Sequence, residues 1–388
     1  MMIPLKYNLR SLVVRAKTTI ATALGIGLVV FVLAASLMLS AGVKRTLGNA
    51  GRPDIAIVLR KGSDSELASG IEDPQVGLVK AMPGIKKDGE TPIGLGEVVI
   101  VIALEKLGAS GVTNVQLRGT TEAARKLRPN VRVVDGRLPT PGSDEVMIGA
   151  RIRGRFRGLE LGQKFELKKN RPATVVGVFE DAGSAHESEV WVDLDTMRST
   201  FGREGVVSSV RVLLESPAAF DAFQAAVEQD KRLGLSAQRE SAFYEKQSEG
   251  TAKFITVIGA LIAFFFSLGA MIGAMNTMYA SIANRQREIG TLRALGFSRL
   301  SILTAFLIEG VLLSLVGGLF GILASLAMGT VKFSMMNFAS WSEMVFSFDP
   351  TPEVLTTALL AALAMGLFGG FLPAVRAARV SALSAMRG

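Results

Sequence analysis

Few residues in this chain can do covalent or metal chemistry. It has no cysteine, which removes thiolate nucleophiles, thiolate metal ligands and disulfides together. Its single histidine, His186, leaves no basis for a histidine metal cluster or a Ser-His-Asp triad. Standing beside Glu187 and Glu189, it reads most simply as a solvated loop residue. No Gly-x-x-x-x-Gly-Lys-Ser/Thr phosphate loop occurs, and the nearest run, Gly158 to Gly162-Gln163-Lys164, has the wrong spacing. ATP hydrolysis is therefore not expected of this chain, nor is any cofactor or metal of its own.

What remains is charge set in patterns. The run Asn284-Arg285-Gln286-Arg287-Glu288-Ile289-Gly290-Thr291-Leu292-Arg293-Ala294-Leu295-Gly296-Phe297-Ser298-Arg299 puts Ile289, Leu292 and Leu295 on one helical face and arginines on the rest. It reads as a short amphipathic helix. Arg151, Arg153, Arg155 and Arg157 alternate along a second run. As a strand they would share one face, a patch for an acidic partner or anionic headgroups, and as a helix they would spread into a solvated rim. Glu309 is the only acidic residue inside a long apolar run, a weak signal for a proton relay.

The elements that carry these charges are set by four apolar segments of about 20 residues or more, the length of helix that crosses a hydrocarbon core. They run from Thr18 to Gly42, Phe254 to Ala283, Ile302 to Val331 and Leu355 to Val375, each rich in the small residues that let helices pack in lipid. The first is too long for a signal-peptide core and reads as a retained anchor. Residues 1–17 before it, with Leu5, Leu9 and Leu12 among basic residues, suit an interfacial helix. The net charge of +9 is uneven: residues 44–252 hold 30 Lys+Arg against 29 Asp+Glu, whereas the rest hold 13 against 5. The excess sits in the N-terminal arm, the 284–300 link and the 376–388 tail, while the 332–353 link is acidic. That asymmetry predicts cytoplasmic termini and argues against a nucleic-acid surface.

Residues 43–250 then form an extracytoplasmic domain between the first two spans. Strand-like runs at 54–59, 97–102, 112–117, 164–167, 173–179, 190–192 and 208–214 alternate with helical stretches, notably Pro217 to Lys231 with Ser216 as its N-cap. The fold class expected is an α-helical membrane protein with four transmembrane helices and an α+β domain of antiparallel lobes. From Ser241 the pattern turns helical and runs into the second span without a break, predicting a projecting stalk that includes Ser241, Tyr244, Gln247 and Phe254.

Several motifs together give a resemblance. Asn276-Thr277-Met278, Arg287-Glu288-Ile289-Gly290, Arg293-Ala294-Leu295-Gly296 and Phe306-Leu307-Ile308-Glu309-Gly310 leading into Gly317-Gly318, with the closing Gly370-Phe371-Leu372-Pro373-Ala374-Val375-Arg376-Ala377-Ala378-Arg379, closely resemble the permease domain of the MacB/FtsX/LolCE superfamily of ABC transporters. Asn8-Leu9-Arg10 fits the same pattern, and Val134-Asp135-Gly136-Arg137-Leu138, Leu161-Gly162-Gln163-Lys164 and Val175-Val176-Gly177-Val178-Phe179 resemble the outer domain of the MacB branch. The sequence departs from the pattern at Asn284-Arg285 and at Ala382 and Ser384 in the tail.

The resemblance implies a multi-pass permease subunit of a bacterial cytoplasmic (inner) membrane, without a fused ATPase, paired with a second copy or a paralogue and seated on a cytoplasmic ABC ATPase that binds ATP and magnesium. It implies that Arg287, Glu288, Ile289, Gly290, Leu292, Arg293, Leu295 and Gly296 dock there as a coupling helix. It further implies an outer domain with an inserted lobe, placed at about 128–201, and ATP-driven movement carried up the stalk to export an amphiphilic or peptide-like substrate from the periplasm, with an adaptor or outer-membrane component as a further partner. Lipoprotein extraction of the LolCE kind and transmembrane signalling without transport are the alternatives it implies.

Overall fold

A computed structural model describes residue 10, residues 12–108 and residues 111–380. The interfacial helix read at 1–17, with its Leu5 and Leu9, and the tail positions Ala382 and Ser384 fall largely or wholly outside these residues. The chain divides into two compact units: residues 1–41, 253–331 and 348–388 form one, and residues 42–252 with 332–347 form the other.

The first unit is built on four helices, each long and apolar enough to cross a membrane: Ala16–Gly48, Glu240–Asn284, Arg299–Ala327 continued by a 3₁₀ turn at Met328–Thr330, and Pro352–Ala378. Ile26, Val29, Val30 and Ala34 of the first helix bury against Ala358, Ala362 and Met365 of the fourth. The first and third approach at backbone distance: a Cβ added to Gly321 would stand 2.3 Å from the Gly27 carbonyl oxygen. No larger residue fits there, which is the role small residues have where lipid gives helices no hydrophobic drive to associate. The second helix is unbroken over 45 residues, about 67 Å at 1.5 Å per residue. Its first residues belong to the second unit.

The second unit holds every strand among the described residues. These are β1 Ile55–Arg60, β2 Ile71–Glu72, β3 Lys87–Asp88, β4 Thr91–Pro92, β5 Gly94–Glu105, β6 Val112–Thr120, β7 Val131–Gly136, β8 Glu145–Gly149, β9 Lys164–Lys168, β10 Arg171–Asp181, β11 Glu189–Asp193, β12 Val206–Val207, β13 Ser209–Leu213, β14 Leu235–Arg239, β15 Lys332–Asn337 and β16 Ser342–Ser347. Ten of them form one sheet in the order β14-β1-β13-β5-β6-β11-β8-β10-β7, with β9 beside β10. The expectation of purely antiparallel lobes is corrected: β10 runs parallel to β8, and β11 parallel to β6. Such pairs need long crossovers, and the chain supplies them through residues 150–170 and 121–188.

β5 is the hinge of this order. Its residues Gly94–Glu97 pair with β13, while Val98–Glu105 pair with β6, so the strand changes partner between Glu97 and Val98. Flanking helices cover the sheet. The helix read from Pro217 begins as a 3₁₀ turn and becomes α-helical at Phe220–Gln229, with Phe220, Phe223 and Val227 buried as their spacing predicts. Ser216 makes no side-chain capping bond. Asp193 does cap the helix Leu194–Phe201, its carboxylate accepting from the Thr196 N–H.

The 332–353 link, which carried no strand expectation, forms the β15–β16 hairpin. Lys106 pairs with Glu343, Arg151 donates to the Val345 carbonyl at 2.6 Å, and the Val345 N–H donates to Ser188 Oγ at 3.1 Å. These contacts place the hairpin in the second unit despite its distance in sequence.

Candidate functional site

The run after the second long helix folds as a short helix, Gln286–Ala294. Arg285, at the break between the two, is buried. Its Nη1 donates to Glu309 Oε2 at 3.2 Å, its Nε to Glu288 Oε2 at 3.1 Å, and its guanidinium lies 5.5 Å from the Phe306 ring centroid. Glu309 is thus an anchor for the link rather than a lone relay carboxylate. Ile289, fully buried, packs with Met278, Ile282, Ile302, Phe306, Ala374 and Ala377. Gly290 is also buried, Leu292 and Arg293 are half-buried, and Arg293 Nη1 donates to the Phe297 carbonyl at 2.8 Å.

The link ends in a turn that explains its glycine. The Phe297 N–H donates to the Leu292 carbonyl and the Gly296 N–H to the Arg293 carbonyl, a Schellman pair with Gly296 at φ 93°. Leu295 falls in this turn rather than on the helix, and is 69% exposed. This corrects its assignment to the apolar face with Ile289 and Leu292. Of the eight residues read as a docking set, Arg287, Glu288, Leu295 and Gly296 face outward, whereas Ile289 and Gly290 hold the helix down.

In the second unit the sequence reading missed the most heavily charged feature. Arg118, Arg128 and Arg211 lie buried among Glu66, Glu97, Glu189 and Glu240. Arg118 reaches Glu189 at 2.7 Å, Glu97 at 3.0 Å and Glu66 at 3.1 Å. Arg211 reaches Glu97 at 2.7 Å and both Glu66 and Glu240 at 2.8 Å, and Arg128 reaches Glu97 at 2.8 Å. Glu97 therefore binds all three arginines at the point where β5 changes partner. Glu240 opens the 45-residue helix, so the lattice joins both parts of the sheet to the head of that helix.

Burial alone would raise the Glu66 and Glu97 carboxyls, but the surrounding guanidinium groups outweigh it and hold both well below the usual carboxylate range. Arg118 and Arg211 are held well above theirs, burial being outweighed by the carboxylates. Carboxyls depressed in the folded state add stability above the unfolded value, about pH 4.3 for Glu, and lose it as pH falls. The unfolding midpoint, followed by the fluorescence of Trp191 and Trp341, is expected to be flat from about pH 8 to 5.5 and to fall below about pH 4.5. A midpoint unchanged down to about pH 3 would contradict this.

His186 extends the lattice, and its reading as a solvated residue is corrected: it is fully buried, as are Glu187 and Glu189. Ser184 Oγ accepts from the His186 N–H and turns the ring inward. Asp181, as a carboxylate, can only accept, so His186 Nδ1 donates to it at 2.8 Å. Nε2 then accepts from the Tyr244 hydroxyl at 3.1 Å, and that hydroxyl oxygen accepts from Arg211 at 3.4 Å. Tyr244, read as a stalk residue, is thus buried in the sheet unit. Gln247 is half-buried beside a small cavity lined by Glu66 and Arg118, the Ser241 N–H donates to the Arg52 carbonyl, and Phe254 is 60% exposed.

The arginine run lies in turns, neither strand nor helix. Each arginine has its own acid: Arg151 pairs with Glu187, Arg153 with Asp135 and Glu160, Arg155 with Glu343, and Arg157 with Glu105. The shared-face patch does not form, because Gly154 at φ 68° breaks any alternation. Among the described residues no cluster of His, Asp and Glu is placed to hold a metal.

The described residues thus comprise four membrane-length helices, an anchored link helix and, between the first two helices in sequence, an α+β domain. The MacB-like periplasmic core domain pattern matches residues 16–230, and the FtsX-like permease C-terminal pattern matches residues 260–382. The chain belongs to the MacB/FtsX family of permeases. It is 32% identical over 228 residues to the macrolide export ATP-binding/permease protein MacB of Escherichia coli K12, and equally to that of Shigella flexneri. Each match covers 56% of this chain and 34% of the relative, so the chain matches about a third of their length. Two solved structures are also similar: the extracellular domain of the transporter YknZ from Gram-positive bacteria (18% identity, TM-score 0.36, 48% of this chain and 100% of that one) and the periplasmic region of MacB from Actinobacillus actinomycetemcomitans (13% identity, TM-score 0.38, 51% and 94%).

Proposed function

We propose that this chain is the non-catalytic permease of an ABC exporter, converting ATP hydrolysis by a separate cytoplasmic subunit into movement of its sheet domain and so exporting an amphiphilic or peptide-like substrate. The ATPase binds ATP and magnesium; the permease works as a dimer with a second copy or a paralogue, and an adaptor or outer-membrane component receives the substrate. Both termini and the Gln286–Ala294 link lie on the cytoplasmic side, in keeping with the basic link and tail.

The observation that carries this reading is the link helix. Ile289 and Arg285 fix it to the helical unit, while Arg287, Glu288 and Leu295 point outward. A helix held from behind with a mixed charged and apolar front suits docking into another protein's groove. The lattice at Glu240 supports the second half of the reading, because a helix bound at its head by buried ion pairs carries displacement without yielding locally.

The test uses Arg287→Glu with Leu295→Asp in the full chain purified with its ATPase. Both positions are exposed, so stability should change by less than about 0.5 kcal/mol. Affinity for the ATPase is expected to fall about tenfold or more. Unaltered co-purification and unaltered stimulation of ATP hydrolysis would sink the docking assignment.

A further inference from the structure

The buried lattice is one positive charge short. Glu66, Glu97, Glu189 and Glu240 are four carboxylates against the three guanidinium groups of Arg118, Arg128 and Arg211. His186 does not make up the difference, because its Nε2 accepts from Tyr244 and its Nδ1 proton is committed to a further carboxylate, Asp181. The neighbouring arginines Arg52 and Arg151 are matched by Asp54 and Glu187. A carboxylate buried without a counter-charge is costly, so a cation within reach of the lattice is strongly favoured.

A cavity of about 20 Å³ lies against the lattice, with room for one particle the size of a water molecule. Gln116 and Glu189, cross-strand neighbours on β6 and β11, both line it. Gln116 Nε2 donates to Glu189 Oε1 at 2.6 Å. A carboxylate only accepts, so the amide cannot turn round. Its oxygen is left facing the cavity on a side chain 4% exposed, and among the described residues no donor reaches it. Ser65, which makes no capping bond, and Ser340 add hydroxyl oxygens to the lining. Arg118 lines the cavity too, but its nitrogens already donate to Glu66, Glu97 and Glu189. What the cavity offers is therefore oxygen, largely neutral, beside one excess negative charge. That donor set suits a hard cation, and the single excess charge suits a monovalent one.

We propose that this cavity is a site for one dehydrated monovalent cation of about the size of sodium, held by the Gln116 amide oxygen, the Ser65 and Ser340 hydroxyls and the carboxylates of Glu66 and Glu189. The site is independent of the export reading. Its walls include Tyr244 and Gln247, so the ion also steadies the head of the 45-residue helix.

The test is the unfolding midpoint of the sheet domain in the full chain, in phosphatidylcholine nanodiscs, with sodium chloride replacing choline chloride at constant total salt. Choline is too large for the cavity. A saturable rise of about 3–6 °C is expected by about 150 mM sodium, as a site of about 10 mM affinity gives. Hydrogen exchange at residues 240–248 should slow in parallel. Ser65→Ala is expected to keep the midpoint in choline within about 2 °C and to raise the half-saturating sodium concentration about threefold or more. Gln116→Leu should remove the sodium dependence altogether. Equal midpoints in sodium and choline would show that the cavity takes water and overturn the proposal. A sodium effect unaltered in both variants would place the ion elsewhere and overturn it as well. If Gln116→Leu does not fold, Ser65→Ala decides alone, because its readout is the sodium dependence and not the stability itself.

Discussion

Replacing Arg211 by methionine is expected to lower the unfolding midpoint of the sheet domain by roughly 6 to 20 °C. Arg211 is fully buried and binds Glu66, Glu97 and Glu240. Its removal leaves the buried Glu240 without an arginine and takes one guanidinium from Glu66 and Glu97, which keep Arg118 and Arg128; breaking a buried ion network in this way costs about 3–5 kcal/mol. For a domain of about 200 residues each kcal/mol moves the midpoint about 2–4 °C. Loss of the guanidinium also frees the head of the 45-residue helix, so hydrogen exchange at residues 240–248 should rise while the Phe220–Gln229 helix keeps its protection. A midpoint within about 2 °C of the parent would show that the lattice is incidental.

The second large effect concerns the link helix. Glu309→Gln removes the carboxylate that Arg285 reaches at 3.2 Å, leaving a buried guanidinium that must share its charge with the exposed Glu288. The helical unit is expected to lose about 3–5 kcal/mol in the same way. The link should loosen with it, and under the proposed coupling function ATP hydrolysis by a partner subunit is then expected no longer to respond to substrate. Exchanging the two residues, Arg285→Glu with Glu309→Arg, should recover at least half of the lost stability. A pair that merely solvates itself would show neither the loss nor the recovery.

The four spans were legible because unbroken apolar runs of this length match the thickness of a hydrocarbon core and exceed what a soluble domain can bury along one helix. Seven of the longer strands were legible from alternation, since β-branched runs at 54–59 and 97–102 suit a pleated sheet far better than a helix. The lattice was not. Arg211 sits in Ser208-Ser209-Val210-Arg211-Val212-Leu213, where alternation marks Ser209 and Arg211 as the polar face, and a polar face ordinarily faces water. Here both faces of β13 are covered, its burial running unbroken from Ser209 to Leu213. Glu97, set within Leu95-Gly96-Glu97-Val98-Val99-Ile100, was the one signal in the sequence: a carboxylate inside so apolar a run needs a cation, and the arginines at 118, 128 and 211 are too far away in sequence to suggest themselves.

His186 was misjudged for a related reason. Its neighbours are polar, but Ser184 folds the loop back on itself and buries the whole turn Ala185–Ser188. β7 and β14 went unread because Arg132-Val133-Val134-Asp135 and Ser236-Ala237-Gln238-Arg239 carry too little alternation to separate a strand from a loop, and β8 went unread with them although it is as long as strands that were read. The link helix was read in its position and mostly in its faces, and failed only at Leu295, where the Schellman turn takes over.

The hairpin at 332–347 sets an order of events during synthesis. Residues 42–252 leave the ribosome first, yet Arg151, Arg155 and Lys106 wait for Glu343 and the Val345 carbonyl, in a hairpin completed 95 residues after Ala252. At about 5–20 residues per second the delay is roughly 5 to 20 s. Until then the nascent domain holds an open seam, and closing it requires that the second and third spans have been made. Completion of the sheet domain is thereby tied to synthesis of the second and third helices, and a chain ending before residue 347 would lack the partners of Arg155 and Lys106 in the hairpin.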